Sequence, residues 1–390
     1  MKIAYITIRD PFNYSSWSGL NYNIYKCLKL QGHKITCIGP LKQDLKIFYV
    51  AKRIFLNLFG IKFDADRPIN LSKNYSKQVE KKIKGKNFDL IITSDTNSVS
   101  FLDTKIPIIV WLDTTFKSWY NHYFSGKKIF KNSIFEGDYC EQRTIKKSSK
   151  IILTSKWAMN DLLKYYKCSK RKINILPFGS NLEVVPSFSK IKKKNYKKNK
   201  CRLISIGVDW NRKGFDRTIN ICKNIISKGL DVELHIVGPY KAKKYNLPSW
   251  IKVSNFLNKN NKNNHKLISK YLMNSDFHIL MTKAEACGVV FAEASSHGLY
   301  SIAPKIGGIE GMIKNNLNGK LFSNNFSDKD IANYIFKVYK NKNKFKKLVS
   351  SSRKYYETHL NWKSIGFNLN KLLKGVINLE KNKKNSFSKN

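Results

Sequence analysis

Two glutamates, Glu285 and Glu293, flank a glycine step in the stretch TKAEACGVVFAEASSHG. The apolar run before it, residues 277–281, reads as a buried strand, and VVFAEASSHG has helical spacing that stops at Gly298. Glu285 is therefore expected in the loop at the strand's carboxyl end, and Glu293 inside the helix. The amides of Gly288, Val289 and Val290 open that helix. A helix N-terminus preceded by a glycine is an anion site, because its first amides have no intrahelical acceptor and the dipole favours negative charge. A diphosphate fits such a site, with one carboxylate on each side available to sugar hydroxyls.

Other chemistry-bearing residues follow other strands. The loop VDWNRKG, residues 208–214, carries Arg212 and Lys213 directly after the apolar run 201–207. Its place at a strand's carboxyl end favours ligand binding over two solvated charges. Gly238 closes the run 232–237. Asp113 follows IPIIVWL, residues 106–112. An acid there is placed for function, and its alternative use is to N-cap the next segment. Gly19 ends the polar, aromatic loop RDPFNYSSWSG after the first strand, where it either faces ligand or merely permits a turn.

These positions require a parallel α/β framework. Residues 2–8, 33–38, 88–93, 106–112, 151–154 and 173–176 read as strands of a first sheet, with helices at 20–31, 136–147 and 157–166. Residues 201–207, 232–237, 251–257, 277–281 and 300–303 read as a second sheet. The strand–loop–helix repeat predicts doubly wound sheets that bind ligands at the carboxyl ends of their strands. The boundaries expected are a first domain over 1–185, a basic linker over 186–200 (PSFSKIKKKNYKKNK) and a second domain over 201–362. A last amphipathic helix follows over 363–379, and then a disordered tail over 380–390. Residues 41–63 hold a wide apolar stripe interleaved with lysines. Its width predicts a helix packed on the first domain's core, while the same pattern would also suit a membrane surface.

Glu-x7-Glu after Gly-rich and basic loops, with Gly307-Gly308 and Asn318-Gly319 beyond, resembles the retaining, nucleotide-sugar-dependent glycosyltransferases of family four. That resemblance spans nearly the whole chain and is strongest over 201–322. It implies a GT-B fold, two Rossmann-like domains with the donor in the cleft between them, and a terminal helix that crosses back onto the first domain. It implies that Arg212 and Lys213 reach the donor's pyrophosphate, that Glu285 holds the sugar and Glu293 the ribose, that Asp113 lies close to the transferred sugar, and that the loop of Gly19 faces donor and acceptor. It also implies attack from the face the leaving group departs, with the departing phosphate helping to take the acceptor's proton. Three departures bear on sugar specificity and loop shape: Ser18-Gly19 replaces a glycine pair, Tyr300 replaces a common Pro, and Glu310 comes one residue early after the glycine pair.

Composition bounds the partners. The chain has 390 residues, 73 Lys+Arg against 26 Asp+Glu, and a net charge of +47. A heavy load of Asn, Ile and Lys accounts for much of this. No nucleic-acid module is recognisable, so charge alone speaks for that partner, whereas an anionic lipid surface would attract such a protein in any case. Seven cysteines without a C-x-x-C spacing, and scattered histidines, predict reduced thiols and neither a protein-held metal nor a cofactor. The N-terminus reads as a strand and not as a signal peptide, which predicts a cytoplasmic protein. The expected partners are a nucleotide sugar donor and a saccharide or glycolipid acceptor, in surface polysaccharide or glycolipid synthesis. A same-fold epimerase or phosphorylase and a basic nucleic-acid-binding protein are the alternatives.

Overall fold

The computed structural model describes residues 1–194, 200–239 and 246–387, with side chains to residue 382. The chain divides into two compact units, Met1–Leu176 with Ile365–Asn390, and Pro177–Ser364. Each is built on a six-stranded sheet whose strand pairs are all parallel.

In the first unit the strands are β1 (Lys2–Ile6), β2 (Lys34–Ile38), β3 (Leu90–Thr93), β4 (Ile108–Leu112), β5 (Lys150–Leu153) and β6 (Ile173–Ile175), in the spatial order 2-1-3-4-5-6. The strands are short apolar runs because helices cover them on both faces. Ala4, Ile6, Ile91, Val110 and Leu153 belong to one buried cluster with Leu71, Tyr75, Val79 and Ile83 of the helix Ile69–Ile83. That helix is absent from the elements expected from sequence. Its four apolar residues at intervals of four were the available signal.

In the second unit the strands are β7 (Lys200–Ile206), β8 (Asp231–Val237), β9 (Ile251–Ser254), β10 (Phe277–Ile279), β11 (Tyr300–Pro304) and β12 (Gly319–Phe322), in the order 12-11-10-7-8-9. From β7 the chain winds outward through β8 and β9, then returns to place β10 on β7's other side. The strand order therefore reverses between β7 and β10, and such a point opens a crevice at the carboxyl ends of the two strands.

Four expectations need correction. The units divide at Leu176 and Pro177, not after residue 185. Residues 186–194 are not a free linker. They include the helix Phe188–Lys192, whose Ile191 is fully buried against Gly298 of the same unit; residues 195–199 of that expected linker lie outside the described ones. The last helix runs from Trp362 to Phe387, so it takes in most of the expected tail, and residues 388–390 lie outside the described ones. Its Ile365, Leu369, Leu373 and Val376 are buried, and the portion from Ile365 onward is part of the first unit.

The fourth concerns the apolar stripe over 41–63. It forms the helix Lys46–Leu58, but none of its residues is buried. The wide apolar face that should have packed on the core is turned outward instead.

Candidate active site

The loop after β7 is the first half of the candidate site. Asp209 accepts the amide of Arg212 at 2.9 Å and caps the single turn Trp210–Lys213. Gly214 ends that turn at φ +66°, and a Cβ there would lie 1.9 Å from the carbonyl oxygen of Met281. Only glycine lets this turn approach the end of β10 so closely. The contact is extended by the carbonyl of Arg212, which accepts the Lys283 amide at 2.7 Å and the Thr282 hydroxyl at 3.0 Å. The two loops flanking the switch point are thus bonded together by backbone.

This fixes the charged side chains. Lys213 Nζ donates to Glu285 Oε2 at 2.5 Å, and both side chains are nearly buried. Arg212 lies 3.7 Å from the same oxygen and donates to the Ala284 carbonyl at 3.0 Å. The stem of Lys213 runs over Gly207 at the end of β7. An ammonium has three donors, so Lys213 can hold Glu285 and still address an anion. Gly307 and Gly308 support the loop from the other side, where the Gly308 amide donates to the Glu285 carbonyl at 3.1 Å.

The helix Val289–Ser296 begins three residues after this carboxylate's neighbour Ala286. Gly288 caps it at φ +83°, and a Cβ would meet the Phe291 ring at 2.7 Å and the Glu285 side chain at 3.2 Å. The amides of Gly288, Val289 and Val290 thus stand at a helix start directly beside Glu285. Glu293 lies one turn further in, 3% exposed, and forms an ion pair with Lys259. The loop of Lys259 is an Asn/Lys-rich run with no sequence pattern that singles out one lysine. His278, in β10, is held at about 3, first by burial and then by the charge of Lys213. Its imidazole is neutral and adds no positive charge of its own.

The structure brings Arg212, Lys213, Glu285 and Gly288 together, and places Glu293 in a second ion pair on the same helix. Gly238 closes β8 against the Gly207 carbonyl, at the foot of the Lys213 loop. Asn318, fully buried, is a brace: it accepts the Lys314 amide at 2.7 Å and donates to Ser295 and the Met312 carbonyl.

Asp113 and Gly19 belong to the other unit, after β4 and β1, which β3 separates. Gly19 precedes the helix Leu20–Leu30 at φ +83° and follows Trp17 and Ser18, themselves in left-handed conformations. Asp113 is partly exposed, and its carbonyl accepts the Thr154 hydroxyl at 3.2 Å. It does not cap the next helix. That role falls to Thr115, whose hydroxyl accepts the Ser118 amide at 3.3 Å.

The same unit holds a buried carboxylate in the helix Lys131–Lys147. Glu141 is 2% exposed, accepts the Thr96 hydroxyl at 2.7 Å and the Phe116 amide at 3.4 Å, and is raised to about 7, chiefly by burial. The folded chain holds this proton more tightly than the unfolded one, whose carboxyl sits near 4.5. The stabilising contribution is therefore present below about 4.5 and lost as pH rises through about 7. Glu141→Gln should flatten the fall in Tm across that window, a difference of up to about 3 kcal/mol. Melting curves of both proteins from pH 4.5 to 8 check it; parallel curves would mean another group carries the pH dependence.

Comparison with known families and structures agrees with this fold. Residues 187–355 match the model of the glycosyl transferases group 1. The sucrose-phosphate synthase of Thermosynechococcus elongatus superposes with a TM-score of 0.70 at 15% identity, over 97% of this chain and all of that one. The match to that family model is confined to residues 187–355, and the chain as a whole has the GT-B fold. WaaG, a glycosyltransferase involved in lipopolysaccharide biosynthesis, superposes at 0.63 with 17% identity, over 96% of this chain and all of that one. HepE of Anabaena, solved with UDP and glucose, superposes at 0.63 with 15% identity over the same shares. No curated protein matches the chain by sequence. Among the described residues no helix is long and apolar enough to cross a membrane.

Proposed function

We propose that the enzyme transfers a hexose from a nucleoside-diphosphate sugar to a saccharide or glycolipid acceptor with retention of anomeric configuration, in the synthesis of surface polysaccharide or glycolipid. The observation that carries this reading is the Lys213–Glu285 pair with Arg212 beside it, set at the switch point next to the start of the helix Val289–Ser296. Two fixed cations and a helix N-terminus there would offset the charge that builds on a departing diphosphate. They act before reaction as well as during it, so no solvent need reorganise as the bond breaks. Glu285 accepts hydroxyls of the transferred sugar, and Glu293 those of the ribose. Asp113 acts close to the transferred sugar, and Gly19 lies in a loop that faces donor and acceptor. Solved relatives in the same fold hold UDP and UDP-glucose, which makes uridine nucleotides the first donors to test.

In this reading the protein's own cations do the work of a metal. The test is turnover of a nucleotide-sugar series with and without EDTA, with the product's anomeric configuration read by NMR. Retained configuration and undiminished rate in EDTA are expected. Loss of activity restored by Mg²⁺ or Mn²⁺ would sink the charge assignment. Inverted product would sink the stereochemical one, and an epimerised donor or a free sugar phosphate would move the enzyme to another class.

A further inference from the structure

The helix Lys46–Leu58 departs from what a solvated surface helix should be. Ile47, Phe48, Ile54, Phe55, Leu58 and Phe59 are each between 60 and 79% exposed. At 3.6 residues per turn they fall on one arc of about 140°. The opposite side is the one held to the protein: Tyr49 packs on the core cluster and stacks on Phe63 at 6.3 Å. The helix is therefore docked by its narrower side, with its broad apolar face to solvent. A contiguous apolar face of this kind marks an interaction surface.

The charge around it says what kind. The segment 46–63 contains no Asp or Glu. Lys62 pairs in parallel with Ile129, its amide donating to Lys128 and its carbonyl accepting from Phe130, both at 2.9 Å. Lys62 Nζ also donates to Asn57 at 2.5 Å, tying this ladder to the helix. Lys127, Lys128 and Lys131, all exposed, are thereby brought next to the helix end, and the segment 124–131 is likewise free of acids. Lys52 lies over the Phe130 ring at 4.5 Å, which fixes the two segments to each other.

We infer that this face docks on an anionic lipid bilayer, with the phenylalanines and leucine at the acyl boundary and the lysines at the lipid phosphates. Lys46 is neutralised by an ion pair with Asp66, so the basic rim is carried by Lys127, Lys128 and Lys131, and an apolar face beside exposed lysines fits such a surface on both counts. A second copy of the chain would instead bring two basic rims together in a protein of net charge +47. Thirteen residues make a helix of about 20 Å, which lies on a bilayer and does not cross it. The inference stands apart from the transferase reading.

The test is co-sedimentation of the full chain with vesicles of phosphatidylcholine alone and of equal phosphatidylcholine and phosphatidylglycerol. Binding to the mixed vesicles is expected, weakening as salt rises. Phe48→Ser with Phe55→Ser and Leu58→Ser should lower the partition coefficient at least tenfold. These residues are exposed, so an unchanged melting curve is also expected. Lys127→Gln with Lys128→Gln and Lys131→Gln should lower binding to mixed vesicles severalfold. Phe367→Ser, on an exposed residue of the last helix, is the control and should change nothing. Equal partition of the wild type and the triple serine variant would overturn the inference. So would a dimer in sedimentation velocity that the serine variant dissolves while vesicle binding persists. Equal binding to both vesicle types would overturn the anionic assignment.

Discussion

Glu285→Gln should lower kcat by about a hundredfold while changing the donor's KM little, and Glu293→Gln should do the reverse. The two glutamates sit in one short stretch but in different mechanical settings. Glu285 lies in the loop, against Lys213 and within reach of Arg212. Contacts to a sugar ring strengthen as the ring gains oxocarbenium character, so its carboxylate is worth most at the transition state. Losing one such preorganised charge costs about 2.7–4 kcal/mol in comparable sites. The glutamine keeps the side chain's shape and an oxygen for Lys213, so the loop should stay in place. Glu293 is inside the helix, locked to Lys259, and in the proposed reading it addresses the ribose, a part of the donor that does not react. Its loss removes binding that ground state and transition state share, which raises KM about tenfold and leaves kcat alone. Steady-state kinetics of both variants with one donor decide the matter. If Glu285→Gln moved only KM and Glu293→Gln only kcat, the two roles would be exchanged.

Lys213→Ala should cost more than its partner's replacement by glutamine, and in two separate ways. The buried Glu285 carboxylate loses its short ion pair and keeps only Arg212 at 3.7 Å. Removing one member of a buried pair destabilises by about 3–5 kcal/mol when nothing takes its place, and Arg212 should reduce that here. Affinity for a diphosphate should fall by about 1.5–3 kcal/mol, the worth of a hydrogen bond to a charged group, or roughly 10- to 150-fold. Arg212→Ala should weaken the diphosphate by a similar factor with less effect on Tm, because its side chain is more exposed and already bonded to a carbonyl. Melting curves and calorimetric titration with UDP separate the two effects. Equal affinity in wild type and both variants would mean that the phosphates bind elsewhere.

Much of this arrangement could be read from the chain because strands of a parallel sheet announce themselves as apolar runs, and ligands meet such sheets at the carboxyl ends. That logic located Arg212, Lys213, Glu285, Gly288 and Glu293 on the elements that carry them. It could not give the pairing. That Lys213 and not Arg212 makes the short contact with Glu285 depends on Gly214 meeting the Met281 carbonyl, a tertiary approach that no local pattern encodes. Lys259 was hidden for a related reason, since its role comes from a partner 34 residues away in a loop of uniform composition. β12, only four residues long and carrying Lys320, lacks the apolar run that betrays a central strand. The helix Lys46–Leu58 shows the limit most plainly. Periodicity gives the width of an apolar face, but which way the face turns is decided by Tyr49 and Phe63, one inside the helix and one beyond its end.

Nucleoside diphosphate binding to the intact chain, measured by thermal shift and titration calorimetry, tests the central claim most directly. One of UDP, GDP, ADP, CDP or TDP should raise Tm without added metal, contributing about 2.7 kcal/mol of stability at a hundred times its dissociation constant. Lys213→Ala should abolish most of that gain. A chain that none of the five stabilises, or that gains equally with and without Lys213, would contradict the assignment of this loop and helix start as the diphosphate site.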